Sequence, residues 1–419
     1  DRFGAAIGGA GGAIPDHAED FEQGRPVQSK AAKDRKTSDM RPSVLVTGGR
    51  APVALHWCRL FSAANWRVVV ADSLKSPLAR FSRLVDCYEQ FPSPQARPKA
   101  FSERVEQIVD FHKIDVVLPT CEEVFHLAAA AEGKAWASKL FAPSLETLLS
   151  LHDKARFNAL VAEIAPSFAP AFHRLESPAQ VAAVPGDHWV FKPCFSRFGT
   201  ETVICPSMEQ RAHILPTPDA PWVAQSYLPG EELCCSAIVH EGRLVAMQAY
   251  LPVVRLRNGT GAGIAFEAAD EAHHWAIEPM IAALAKALNI TGQLSFDFRK
   301  DAAGKFKVLE CNPRSTSGFH FFGPKGGLVQ AVVEGRETLV RAPKGRFMGE
   351  RLPTLLIGGW AGLRTAAQLR SLSRWPGDTL SPLDQLRSFV ELLRIARQNK
   401  CSVEAASTLD IRWNFLQKQ

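Results

Sequence analysis

The sequence lacks any run of about 18 apolar residues, the length a helix needs to cross a bilayer. Its 46% hydrophobic content therefore reads as globular core, and no membrane partner is expected. A Cys-x-x-Cys pair is also missing: nine cysteines stand scattered at 58, 87, 121, 194, 205, 234, 235, 311 and 401. That odd, dispersed set argues for reduced thiols in a cytoplasmic protein, and against a zinc site or a disulfide frame. No single stripe of basic charge is present, so the net charge of +6 suits an anionic small molecule and no nucleic-acid partner is expected. Residues 1–39 lack both the apolar core of a secretory signal and, because of Asp16, Glu19 and Asp20, the composition of a mitochondrial presequence. They read as part of a disordered arm, 1–41, either expression-derived or an upstream extension, with Met40 as a natural start.

What is present begins at Pro42. A length of 419 residues implies two to four domains. Ser43–Thr47 is a short apolar strand, Gly48-Gly49 a tight turn, Pro52–Ala64 a periodic helix, and Arg67–Ala71 a second strand ending at Asp72. The order suggests dinucleotide binding, but G-x-G-x-x-G is absent, so a βαβ scaffold is the better reading. A further buried strand, Asp115–Pro119, leads into Thr120-Cys121-Glu122-Glu123. These residues line a cleft at the strand ends, or the acids answer the helix macrodipole; both readings stand.

The most informative stretch is Thr291–Arg314. Gln293–Phe298 alternates at strand period, Asp301-Ala302-Ala303-Gly304 makes a turn, and Lys305–Glu310 returns. Glu310 and Asn312 share a face, and folding back brings Asp297 opposite or one diagonal step from Glu310. Two carboxylates about 5 Å apart repel by roughly 3 kcal/mol at an effective dielectric near 20. A hard cation, Mg²⁺ or alternatively Mn²⁺, removes that repulsion, and Mg²⁺ on one or two carboxylates implies nucleotide phosphates.

An acid followed thirteen residues later by Glu-x-Asn-Pro-Arg resembles the metal-binding strands of the ATP-grasp superfamily, closest to its carbamoyl-phosphate-synthetase-like branch. The resemblance covers roughly residues 42–340. It implies an α/β (α+β) chain: a Rossmann-like domain preceding the grasp (42–148) and two ATP-grasp subdomains (149–222 and 223–344); beyond it, the amphipathic stretch Leu380–Asn399 reads as part of a mainly helical C-terminal extension (345–419). The extension either lids the substrate site or supports an oligomer such as a homodimer.

The resemblance also carries over site residues. Asp297, Glu310 and Asn312 would hold Mg²⁺ across the phosphates of ATP, and Arg314 would orient the carboxylate or the transferring group. Lys154, in the Asp153-Lys154 pair, would reach phosphate. Lys192, at the end of a strand, is followed by a loop in which Ser196, Arg197 and Gly199 can face anionic oxygens. That loop departs from the family's glycine-rich pattern through Phe195, Arg197 and Phe198. Gln225, Ser226, Tyr227 and Leu228 look like the adenine hinge, and Glu232 suits ribose better than Glu231. Arg255 and Arg257, ahead of Gly259, Gly261 and Gly263, read as a mobile clamp for a substrate carboxylate, or as a merely flexible basic loop. The activity implied is ATP-dependent carboxylate-amine ligation through an acyl phosphate, releasing ADP and phosphate. The alternatives are a bicarbonate-activating enzyme and a non-catalytic ATP-binding scaffold.

Overall fold

The computed structural model describes residues 40–413 apart from 198, 200, 258, 259, 339, 340, 352, 353, 356 and 357. The side chains of 256, 257, 260, 262 and 359–361 also lie outside the described set, as does the arm 1–39.

The chain opens with four parallel strands, β1 (Ser43–Thr47), β2 (Arg67–Asp72), β3 (Cys87–Gln90) and β4 (Val116–Leu118), in the order β3-β2-β1-β4. Strand alternation sends Val44, Val46, Val68 and Val70 to one face, against Trp57 and Phe61 of α1 (Pro52–Ala63). Leu45, Val69 and Val117 go to the other face, against Phe101, Val105 and Ile108 of α2 (Pro98–His112) and Leu127 of α3 (Glu123–Ala131). Both faces are covered, which is why these strands read as continuous apolar runs.

The Gly48 turn has a steric reason. Its φ is +71°, and a Cβ there would lie 2.7 Å from Thr120 Oγ1 and 2.8 Å from Glu123 Oε1. Glycine lets two strand ends meet. Asp72, the candidate ribose acid, is instead taken by Arg50: its carboxylate accepts the Arg50 amide at 2.9 Å and the guanidinium at 2.5 Å.

Two helices, α4 (Leu145–His152) and α5 (Lys154–Ile164), lead into a four-stranded antiparallel sheet. Its strands are β5 (Phe172–Leu175), β6 (Trp189–Pro193), β7 (Val203–Ile204) and β8 (Trp222–Ser226), in the order β5-β8-β6-β7. A seven-stranded sheet follows, ordered β13-β12-β9-β10-β11-β14-β15. It comprises β9 (Glu232–His240), β10 (Arg243–Arg257), β11 (Thr260–Ala268), β12 (Gly292–Lys300), β13 (Phe306–Asn312), β14 (Phe347–Gly349) and β15 (Leu369–Ser371). The helix Glu271–Leu288 and α5 pack Ile277, Ile281, Leu284, Phe157 and Val161 onto Leu233, Cys235, Leu294 and Phe296 of this sheet. Fully burying each such side chain is worth about 1.5–3 kcal/mol.

One expectation is corrected here. Leu251–Ala265 is not a loop: β10 and β11 pair antiparallel from Tyr250↔Ala268 out to Arg257↔Thr260, with shifts of register between. The branched and aliphatic residues Val253, Val254 and Leu256 continue the strand, and Gly261 and Gly263 sit in its partner β11; Gly259 lies outside the described residues.

The C-terminal residues include the helices Gly359–Gln368, Pro382–Gln398 and Val403–Ala406. They bind back onto the first sheet's domain. Arg59 pairs with Asp378 at 2.8 Å, Arg50 with Asp410 at 2.5 Å, and Glu391 accepts the amides of Lys75 and Ser76 at 2.8 and 2.7 Å. Among the described residues, Leu409–Trp413 forms no strand and acts as a docking segment. No described helix is long and apolar enough to cross a membrane.

Candidate functional site

The site is built on the β12–β13 hairpin. Asp301 closes its turn, Oδ1 accepting the amides of Ala303 and Lys305 at 3.0 and 2.9 Å. Coming from the turn, Phe298 faces Val308, but Asp297 faces Glu310 and Ser295 faces Asn312. Leu309 is thus the extra residue of a β-bulge. In a regular ladder Asp297 would oppose Leu309, and Glu310 would turn to the other face. The bulge is what brings the two carboxylates together.

Both predicted lysines converge on the same acid. Lys154 Nζ lies 3.4 Å and Lys192 Nζ 3.9 Å from Glu310 Oε2. Lys154 gets there because Asp153 caps α5, accepting the amides of Ala155 and Arg156 at 2.9 and 3.1 Å. Its ammonium also donates to Ser196 O at 3.1 Å. Lys192 comes from β6, so the two sheets face each other across this carboxylate. Asn312 Nδ2 lies 3.5 Å from Glu310 Oε1, and Arg314 Nη2 donates to Asn312 Oδ1 at 3.3 Å.

The electrostatics are uneven. Burial and the facing Glu310 push the Asp297 carboxyl well above the usual range. Burial acts the same way on Glu310, but Lys154 and Lys192 outweigh it and hold that carboxyl low. Burial lowers the Lys192 ammonium to about 8; Glu310 opposes the shift and Lys154 adds to it. The site therefore sets a carboxyl held low by two ammonium groups beside one pushed up by burial and by its facing acid. A divalent cation held by Asp297, Glu310 and Asn312 would relieve the repulsion between the two carboxylates, and an all-oxygen donor set fits Mg²⁺ or Mn²⁺.

The other sequence-predicted residues fall around this centre in different states. Gln225 and Ser226 lie in β8; the Ser226 amide donates to Ala171 O at 2.8 Å and the Tyr227 amide to His188 O at 2.9 Å. Leu228, buried just beyond the strand, is the one of these four expected hinge residues whose amide has no acceptor among the described residues. The Gln225 side chain is structural: its amide bridges Asn158 Oδ1 at 3.0 Å and Leu309 O, the bulge carbonyl, at 3.1 Å. Glu232 shares the Asp297 neighbourhood, whereas Glu231 pairs with Lys300 at 2.7 Å and His273 at 3.1 Å.

Arg255 is engaged by the Glu232 carboxylate and donates to Gly261 O at 2.6 Å, so it is held within the hairpin arm and is not free as a loop clamp. The Arg257 side chain lies outside the described residues. Ser196 Oγ donates to Pro193 O at 3.2 Å, and Gly199 turns with φ +62°. Thr120 is spent on Thr47 O at 2.7 Å, and Glu123 caps the start of its own helix through the amides of Thr120 and Cys121. Glu122 is paired with Arg197, Nε to Oε1 at 2.6 Å.

Sequence reasoning singled out the small residues Ser315–Gly318 after Arg314 but not the hydroxyls they meet. Thr316 Oγ1 lies 2.7 Å from Ser236 Oγ, 2.9 Å from Ser295 Oγ and 3.1 Å from Tyr250 OH, while Ser295 Oγ donates to Arg314 O at 2.9 Å. Trp57 Nε1 donates to Ser315 Oγ at 2.9 Å, and Gln293 Nε2 to Pro119 O at 2.6 Å. The signal was Gln293, Ser295 and Asp297 alternating on one strand face.

This pair of facing sheets, the bulged acid hairpin and the preceding parallel domain define the ATP-grasp fold, as the hairpin's resemblance implied. Solved structures agree. The chain is similar to an L-amino acid ligase from Bacillus licheniformis, with 16% identity and a TM-score of 0.52 over 70% of each chain. It is also similar to N5-carboxyaminoimidazole synthetase from Staphylococcus aureus complexed with ADP, with 14% identity and a TM-score of 0.57 over 74% of this chain and 82% of that one. A third is the biotin carboxylase domain dimer of Hydrogenobacter thermophilus 2-oxoglutarate carboxylase with MgADP, ADP and bicarbonate, at 12% identity and a TM-score of 0.56 over 73% of each chain. No family model matches the chain, and no curated protein does.

Proposed function

We propose that the chain is an ATP-dependent, ADP-forming ligase that activates a small carboxylate as an acyl phosphate and joins it to an amine. The observation that carries this reading is the convergence of Lys154 and Lys192 on a Glu310 that faces Asp297. Phosphoryl transfer needs positioning and charge neutralisation more than covalent help from the protein. Mg²⁺ held by Asp297, Glu310 and Asn312 would neutralise charge on the phosphate oxygens. Lys154 and Lys192 turn from Glu310 to the non-transferred phosphate oxygens once the cation takes their place. Leu228 offers its amide to adenine, and Glu232, on release from Arg255, accepts the ribose hydroxyls.

Arg314, steadied by Asn312 and by the hydroxyls around Thr316, orients the carboxylate that receives the phosphoryl group. The carboxylate oxygen attacks the terminal phosphorus and ADP leaves; the amine then attacks the acyl carbon, and phosphate leaves with the amine's proton passing to solvent. Arg255, once Glu232 releases it, would be free to meet a substrate carboxylate. The fold neighbours support the nucleotide part of this reading: one is described with ADP and one with MgADP and bicarbonate.

The test is product analysis with Mg²⁺-ATP, pooled amino acids and small carboxylic acids, with and without bicarbonate, on the native chain and Glu310→Ala. Carboxylate-dependent ADP and phosphate, lost in the variant, support the ligase. Dependence on bicarbonate alone moves the reading to a carboxyphosphate-forming enzyme. AMP and pyrophosphate overturn it.

A further inference from the structure

A second cluster of ligating groups sits in a different sheet. Cys87, Glu89 and His112 bring one donor atom each to within 4.8 Å of one another. Cys87 and Glu89 are two apart on the edge strand β3, so they share a face, and His112 closes α2. Glu89 Oε1 lies 2.7 Å from His112 Nε2 and 3.8 Å from Cys87 Sγ. The other oxygen, Oε2, accepts from Arg104 Nη2 at 2.6 Å. Arg104 thereby turns one carboxylate oxygen toward both remaining donors. The His112 side chain is 1% exposed, and Nδ1 finds no partner among the described residues. Cys87 and Glu89 are half-buried, which leaves a way in.

We propose that Cys87, Glu89 and His112 form a zinc-class metal site, separate from the oxygen-lined site at Glu310. A thiolate, an imidazole and a carboxylate suit Zn²⁺ and do not suit Mg²⁺. Tetrahedral zinc, with bonds of about 2.0–2.3 Å, places its donors roughly 3.2–3.7 Å apart. The His112–Glu89 contact therefore opens from 2.7 Å by about half an ångström, and the thiol closes on Glu89 from 3.8 Å by a few tenths. Binding releases the Cys87 thiol proton to solvent, and the imidazole proton shifts from Nε2 to Nδ1, so that Nε2 can ligate. Arg104 remains as the outer partner of Glu89. The fourth position is left to water on the half-exposed side. The missing Cys-x-x-Cys is no obstacle, because the ligands come from one strand and a helix end.

The test uses the full chain freed of metal by chelation, in Mg²⁺ buffer. Wild type and Glu310→Gln should each retain one equivalent of zinc through gel filtration. Cobalt should give a thiolate charge-transfer band that Cys87→Ser removes, with an unchanged circular dichroism spectrum. His112→Ala should weaken zinc binding by at least about tenfold. No retained zinc in the wild type, equal retention in Cys87→Ser, or loss of zinc in Glu310→Gln would each overturn the assignment. Should His112→Ala fail to fold, Cys87→Ser alone decides.

Discussion

Glu310 is the counter-charge of two buried ammonium groups as well as a proposed metal ligand, and its removal is expected to show in two measurements. Glu310→Ala leaves Lys154 and Lys192, both under 10% exposed, without their acid. Removing the acid leaves two buried ammonium groups under-compensated, which is destabilising. The melting temperature should fall, and ADP formation should drop by at least about 100-fold. Turnover at the native rate in this variant would rule out the metal role.

Lys192 gives a prediction with a definite sign. Its ammonium titrates near 8 in the nucleotide-free chain because burial disfavours the charge. Below that pH the group is already charged, so affinity for MgADP should be flat. Above it, binding must take up a proton, and affinity should fall by as much as about tenfold per pH unit. Calorimetry in buffers of different ionisation heat should detect proton uptake only on the alkaline side, and Lys192→Met should abolish it.

Among the elements, α1 is tied to the C-terminal extension by one fully buried pair. Arg59 and Asp378 are each 1% exposed at the side chain; Arg59 also donates to Leu372 O at 2.6 Å, while Asp378 accepts Ser82 Oγ and the Arg83 amide, both at 2.9 Å. Asp378→Ala strands the guanidinium and two donors, and should cost about 3–5 kcal/mol in unfolding free energy. A denaturation midpoint within error of the native value would show that the extension contributes little to the first domain. None of this was legible in the sequence, because 319 positions separate the partners.

The β12–β13 acids were legible. Alternation, a four-residue turn and Glu-x-Asn-Pro-Arg are all local, and even the bulge is absorbed in the spacing between Asp297 and Glu310. Lys154 carried almost no signal by itself and was singled out only through the Asp153-Lys154 resemblance; the cap at Asp153 is what brings it to Glu310. The β10–β11 arm was misread because its glycines suggested a loop, while the pairing that makes it a hairpin lies across the turn.

At the scale of the whole molecule, three separate parts of the chain meet at Arg197. The loop after β6 supplies the arginine, the first domain supplies Glu122, and the C-terminal segment supplies Trp413 O, which Nη2 reaches at 2.9 Å. Glu122 is 1% exposed, so in the nucleotide-free chain this guanidinium has a buried, charge-assisted partner. On the proposed reading, phosphate would compete with that partner for Arg197. A hydrogen bond to a charged group is worth about 1.5–3 kcal/mol and one to a neutral group about 0.5–1.5, so Glu122→Gln should release Arg197 more readily by roughly 1 kcal/mol. MgADP should then bind about fivefold more tightly. Arg197→Gln should weaken binding, and adding Glu122→Gln to it should restore nothing, since the competition would already be gone. If Glu122→Gln weakens nucleotide binding instead, the pair holds the phosphate loop in its working position, and the first domain and the C-terminal segment act as supports for the loop and not as competitors of the phosphate.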